Sequence, residues 1–517
     1  MNVSSSSETW KRWLPSWGRM RRRKGVLLIL FGLLLVSLVG MLGVIIDGGI
    51  LMSQNHHMQN AADAAALAAA HDLMFGRSNA TAVATAQSYV TTHFGLTAPA
   101  SGNVRIPPTS GPFAGNSQYV EVVLQQNFNT YFAQVLPGVG TSQQLSVRSV
   151  AGVERIAAEE GVLTLNPSAV PGLSLSGQGT LRVNGRVLVN SEGGGVDQTG
   201  STVPGSGVAA AAGNQQSAET GIYARDIRVV GGVDDPSMFK PYATGDPNPL
   251  FARQMSMPDP FVALPTPTTA TGVDNRLRGS VRVNNTNVNG LNSDSARQNF
   301  EARGGESIAN GLHVATAGEV VLHPGIYEEI DITGGRVYFI PGIYVLRPVR
   351  NTISSIKLTG GIVVADGVMF YNTANTYDPL SGSPDVNDMK QVPPAPDASY
   401  SGDVSINAGM KFSPIDTSTY SYGTLYAGAV PVNSRFDGML FYQRRRLTND
   451  LTITGNSADG SLAGTLYAKW GDAQITGQGT YNAQFALGSM TITGQGVVTI
   501  QAVGNKVGRS GNVFLVE

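Results

Sequence analysis

The sequence predicts a mainly β protein: a single N-terminal transmembrane helix, an alanine-rich helix, a small α/β segment, then a parallel β-helix, or solenoid. Three observations predict it. Residues 26–46, VLLILFGLLLVSLVGMLGVII, carry no charge. Residues 58–73, MQNAADAAALAAAHDL, are mostly strong helix formers. Beyond residue 160, glycines recur at the ends of short, alternating apolar runs. The chain accordingly divides into a basic segment 1–25, a span 26–46, an α+β region 47–155, and a solenoid 156–517 with long insertions near 200–310 and 377–403.

Composition narrows the function. At 517 residues the chain exceeds what one hydrophobic core organises. Only 14% of residues are charged and 63 are glycine, which suits many short strands joined by tight turns. A net charge of −1 leaves no electrostatic footprint for nucleic acid, so no nucleic-acid partner is expected. With no cysteine, disulfides, thiolate metal sites and cysteine nucleophiles are excluded.

The uncharged run of 21 residues matches the ~20 that a helix needs to cross the hydrocarbon. Before it stand Lys11, Arg12, Arg19, Arg21, Arg22, Arg23 and Lys24, opposed only by Glu8; after it the first basic residue is Arg77. Positive charge stays inside. Residues 1–25 are therefore expected in the cytoplasm and everything after Asp47 outside, as a single-pass protein of a bacterial inner membrane with a periplasmic C-terminal part. Trp10, Trp13 and Trp17 suit the headgroup level, although Pro15 interrupts a regular helix there. A cleaved signal peptide would have a shorter apolar region and a small-x-small site, whereas DGGILMSQ follows here. RRRKG before the run is similar to a prepilin leader ending at Gly25, but Leu30 stands where prepilins usually carry Glu. An uncleaved anchor is the favoured reading.

The order of basic cluster, apolar span, IIDGG and MQNAADAAALAAA resembles the N-terminal region of the TadG-like (TadE/TadG-like) proteins of tight-adherence, or Flp, pilus assembly. Asp47 and Gly49 match the family's Asp-x-Gly element. Met58, Gln59, Asn60, Ala61, Ala62, Asp63, Ala64, Ala65, Ala66 and Leu67 match its second element. Asn55, His56 and His57 depart from it, standing where the family often has arginines. The resemblance implies partners among pilus-assembly or envelope proteins, reached through the membrane helix and the alanine-rich helix. Small side chains let backbones approach closely; the plainer alternative is a solvated alanine-rich spacer. Ser37, Gly40 and Gly43 could likewise seat a partner helix or simply face lipid.

Downstream, residues 81–95 read as an amphipathic helix with Val83, Ala86, Val90 and Phe94 near one face. YVEVVL (119–124) and LSVRSVAGV (145–153) read as strands, and NTYFAQVL (129–136) as a short helix. The family resemblance extends over roughly 20–155 and includes this strand, helix, strand order. Beyond it, LSGQGT at 175, ITGGRV at 332, LTGGIV at 358, ITGNSA at 453, ITGQGT at 475 and ITGQGV at 492 share a pattern. The last two lie 17 residues apart, as do the PGIY copies at Pro324 and Pro341. Glycine corners with inward Val, Ile and Leu predict stacked coils of ~17 to 26 residues. A β-sandwich is the alternative, but Asn-Gly and Asp-Gly hairpin loops are sparse. Residues 234–272 and 377–403, rich in Pro and Asp, read as excursions over the surface.

Catalytic, cofactor-binding and metal residues are not expected, and the chain is read as a non-enzyme. Glycoside hydrolysis needs two carboxylates facing one bond, and the adjacent pairs Glu159–Glu160, Asp234–Asp235 and Glu328–Glu329 would point to opposite faces of a strand. Six histidines (His56, His57, His71, His93, His313, His323) show no HExxH spacing. EGGG (192–195) lacks the following Lys-Ser/Thr of a phosphate loop. QRRRL (443–447) reads as an exposed basic loop, or as a contact for anionic glycan or lipid. Besides a structural assembly protein, two alternatives stand: a membrane-tethered carbohydrate-binding or carbohydrate-active β-helix, and a surface adhesin.

Overall fold

The computed structural model describes residues 24–132, 140–157, 160–212, 219–284, 312–316, 319–350, 354–382, 400–407, 409–423, 429–456, 461–502 and 507–516. They form two compact units. One comprises Met1–Leu73, Arg77–Val153 and Val513–Glu517; the other comprises Met74–Gly76 and Glu154–Asn512. Strand dominates, and one long apolar helix lies near the N-terminus.

The first unit is built on α1, Lys24–Met74, a helix of 51 residues. At 1.5 Å per residue it is roughly 76 Å long. The apolar run 26–46 and the alanine-rich run 58–73 lie on this one helix, which continues through Gly48 and Gly49. Each helical glycine costs roughly 1 kcal/mol, too little to interrupt long helix-forming runs on both sides. Next comes α2, Asn79–Phe94, over the expected segment. The Ser78 hydroxyl accepts the Thr81 N–H, and Gly95 at φ 64° ends the helix in the left-handed region.

A four-stranded sheet completes this unit: β1 (Val104–Arg105), β2 (Tyr119–Asn129), β3 (Ser142–Ala157) and the strand Arg509–Leu515, in that order. β2 and β3 pair antiparallel from Tyr119↔Gly152 to Asn129↔Ser142. The short helix expected at 129–136 is not found where it can be checked. Asn129 ends β2, residues 130–132 turn away from it, and 133–139 lie outside the described residues. Cross-strand pairing with Ser142 holds Asn129 extended.

The second unit carries a 20-stranded sheet in which nearly every pairing is parallel. The pairings fall into three ladders. The first passes through Leu250, Ile227, Val187, Val162, Phe485, Leu466, Phe441, Phe370 and Tyr344, each paired with the next. A second passes through Val281, Ile330, Ile356, Val404, Leu451, Ala473, Met490, Leu173 and Ala210. The third joins Leu322, Phe339, Ala365, Phe412 and Leu462. Asn482 donates its N–H to the Leu462 carbonyl, and from the adjacent Tyr481 the ladder continues through Ile500, Val183 and Ala224. The aliphatic and aromatic side chains of all three meet in one buried core. Parallel pairing on this scale is unlike the hairpins of a sandwich.

The order of levels is not the order of the chain. Residues 160–189 enter in the middle, between the level of residues 221–229 and the level of residues 479–501. Strands then step outward to Leu250–Phe251. The chain re-enters at the opposite end, at Leu277–Val283, and steps back until Met490 pairs with Leu173. Between these ends, residues 252–276 descend past successive levels. Met257 exchanges hydrogen bonds with the Asn190 side chain, the Phe261 and Leu264 carbonyls accept from Arg445, the Pro267 carbonyl accepts from Tyr377, and Val273 bridges Ile343. Under this strap lies a second apolar cluster that includes Phe261, Tyr371, Tyr442 and Tyr467. Within 200–284 the ladder strands are Ala210–Ala212, Gly221–Val229, Phe239–Pro241, Leu250–Phe251 and Leu277–Val283; 285–311 and 383–399 lie outside the described residues.

Candidate functional site

The site is α1 and what grips it. From Leu28 to Ile46 the described large apolar side chains are exposed; Leu28 is 76% exposed and Ile45 62%. From Met58 the pattern reverses. Met58, Ala61, Ala62, Ala65, Ala66, Ala69 and Ala70 are fully buried. Their i, i+3, i+4 spacing gives one face, which packs on Ala82, Ala86 and Val90 of α2 and on Val120, Val122, Leu124, Val147 and Ala151 of the sheet. Alanine is what permits this fit, because a larger side chain would hold helix and sheet apart.

Polar contacts set the register. Gln59 Nε2 donates to Asp63 Oδ1 at 2.8 Å and to the Arg148 carbonyl at 3.2 Å, joining α1 to β3. Arg148 Nε in turn donates to the buried Glu121 at 2.6 Å. Burial opposes ionisation of Glu121, but the hydrogen bonds from Arg148 and from the backbone and hydroxyl of Thr109 outweigh it, holding its pKa down at about 2. At the other end of the alanine run, buried Asp72 accepts from Thr85 at 2.5 Å and from Arg77 at 2.8 Å, tying α1 to α2.

Asp47 has a separate task. It is 3% exposed, and its carboxylate accepts the backbone N–H groups of Tyr131 (3.1 and 3.2 Å to the two oxygens) and Phe132 (2.7 Å). One turn earlier, a Cβ on Gly43 would lie 2.5 Å from Phe132 Cβ. Gly43 is therefore covered by the chain's own Phe132, while Gly40 has nothing within 4 Å.

The motif residues take distinct places. Asp47, Met58, Ala61, Ala62, Ala65 and Ala66 are buried; Gln59, Asp63, Ala64 and Leu67 are half-buried; Gly49 and Asn60 are exposed. Lys24 begins α1, and Arg21, Arg22 and Arg23 lie outside the described residues. One expectation needs correcting. The alanine face offered to partner helices is spent on this unit's own sheet and α2, since close approach serves intramolecular packing equally well. Sequence reasoning missed Glu121, Arg148, Tyr131 and Phe132; only the matched Asp47 hinted at a fixed acceptor.

Residues 25–72 match the family of putative Flp pilus-assembly TadE/G-like proteins. The Tad-like segment therefore coincides almost end to end with α1. No curated protein and no solved structure matches the chain. α1 is the one helix, among the described residues, long and apolar enough to cross a membrane. Together the Tad match and this helix fit a membrane-anchored pilus-assembly protein.

The other candidates resolve into structural contacts. QRRRL is not an exposed loop: Gln443, Arg444 and Arg445 are buried and only Arg446 is exposed. Arg445 donates to Tyr467 and to two carbonyls of the strap, because the strap covers it. Glu329 accepts from Arg282 at 2.9 Å, Glu328 from Ser280, and Asp234 from the Ala212 N–H. Among the described residues no group of three or more His, Asp or Glu is placed to hold a metal.

Proposed function

We propose that this chain is a non-catalytic structural component of an Flp-type pilus-assembly system, anchored by α1 in the bacterial inner membrane. The basic residues before α1 favour a cytoplasmic N-terminus and periplasmic units beyond Asp47. The three parallel ladders support reading residues 160–502 as a parallel β-helix presented to the envelope. The carrying observation is the coincidence of the Tad match with a helix whose first half exposes its large apolar side chains. Assignment as a non-enzyme is supported by Glu328, Glu329, Asp234 and Asp235, which are engaged in bonds to Ser280, Arg282 and backbone N–H groups.

Two measurements test this. After mild crosslinking in cells, pilus-assembly or secretion proteins should co-purify with the chain; recovery of the chain alone would count against the assembly role. In spheroplasts, protease should degrade residues 160–502. Protection of that region until the membrane is lysed would reverse the orientation.

A further inference from the structure

We propose that Tyr131 and Phe132, just past the end of β2, form a lipid contact, held at the membrane interface by Asp47. This rests on the reading that α1 spans the bilayer. The argument begins with the carboxylate. Asp47 closes the uncharged run of α1, and it is buried there by a loop reaching back from 84 residues later in the chain. A buried carboxylate is tolerated only when its lone pairs are satisfied; here the Tyr131 and Phe132 N–H groups supply them. Gly43 removes the bulk that would keep Phe132 away.

The consequence is a placement. Tyr131 is 62% exposed and Phe132 49%, and they meet α1 at Asp47 and Gly43, at the level along the helix of Leu42, Ile45 and Ile46, which are exposed as well. Two aromatic rings are thereby fixed at the depth where the apolar run ends. Aromatic side chains favour that level, where an apolar ring body meets a wet polar edge. The occupant that matches both the rings and the helix is the headgroup–acyl boundary of a bilayer, continuous with the lipid around Leu28–Ile46. A second attachment point beside the helix sets its depth and blocks rotation about its axis.

The chain has no cysteine, so single labels can be introduced cleanly. Full-length Phe132→Cys, and separately Tyr131→Cys, would carry a nitroxide in vesicles of phosphatidylethanolamine and phosphatidylglycerol. Access to oxygen, which concentrates in lipid, is compared with access to a water-soluble nickel chelate. Leu35→Cys marks the span and Tyr89→Cys, on the exposed face of α2, marks water. The oxygen-to-nickel ratio at 132 should exceed that at 89 by at least about threefold if the ring sits at the interface. Adding Asp47→Ala should lower it toward the value at 89 while the Leu35 label stays in lipid. A ratio at 132 equal to that at 89, with Leu35 still in lipid, overturns the proposal alone. Shielding of 132 from both reagents points to a protein neighbour and also overturns it. Water access at Leu35 overturns the membrane reading and this proposal with it.

Discussion

The two halves of α1 invert the usual relation between side-chain size and burial. Leu28–Ile46 carries leucine, isoleucine, valine and phenylalanine and leaves them exposed; Met58–Ala70 carries mostly alanine and buries its alanine face completely. Both halves are apolar, so hydropathy alone treats them alike. The difference lies in what each excludes. Large side chains bring apolar area to a surface that the described chain leaves uncovered and that suits lipid. Small ones bring backbone within reach of a sheet, and a protein packing partner covers them at interior density. One continuous helix thus passes from an exposed apolar surface, which suits lipid, to a protein interior.

The comparison can be broken most sharply in the exposed half. Leu34→Arg with Leu35→Arg places two charges mid-span, each worth about 2.5–3.5 kcal/mol against insertion. Membrane association resistant to alkaline carbonate should be lost. In the buried half, Ala65→Leu should lower the thermal stability of the detergent-solubilised protein, since overpacking typically costs about 1–3 kcal/mol. The same melting experiment on Val44→Ala, in the exposed half, should move stability by less than about 0.5 kcal/mol.

Glu121 sharpens the contrast from the polar side, because it holds the arginine that receives Gln59 on its carbonyl. Its pKa falls from 4.5 to about 2 on folding. The stability it contributes is therefore complete above pH 4.5 and disappears as pH drops toward 2. Glu121→Gln should flatten that part of the stability–pH profile, followed by circular dichroism, and should cost about 1–3 kcal/mol at neutral pH by leaving Arg148 poorly partnered.

What the sequence revealed tracks how local the cause is. α2 was legible because its apolar face and its cap lie within one stretch. The ITG-type repeat was legible because its members sit on one ladder. Ile475 pairs with Ile492 at the 17-residue spacing, and Ile492 pairs with Leu175. The PGIY copies share that spacing but not that register: Gly325 pairs with Tyr344, two residues past the matching glycine. Repeats reveal composition of a level, not its alignment or its neighbours. Burial of Arg445 and the task of Asp47 depend on partners 181 and 84 residues distant, and no local pattern encodes them.

Entry of the ladders at a middle level has a cost in time. The ribosome releases residues 160–189 early, yet one of their two neighbouring levels consists of residues near 480–500. The sheet of the small unit waits longer still, since Val516 donates its N–H to the Val150 carbonyl. Such distant pairings slow folding. Until residues 480–516 emerge, strands already made present open edges to their surroundings, so synthesis and protection from aggregation must overlap in this protein.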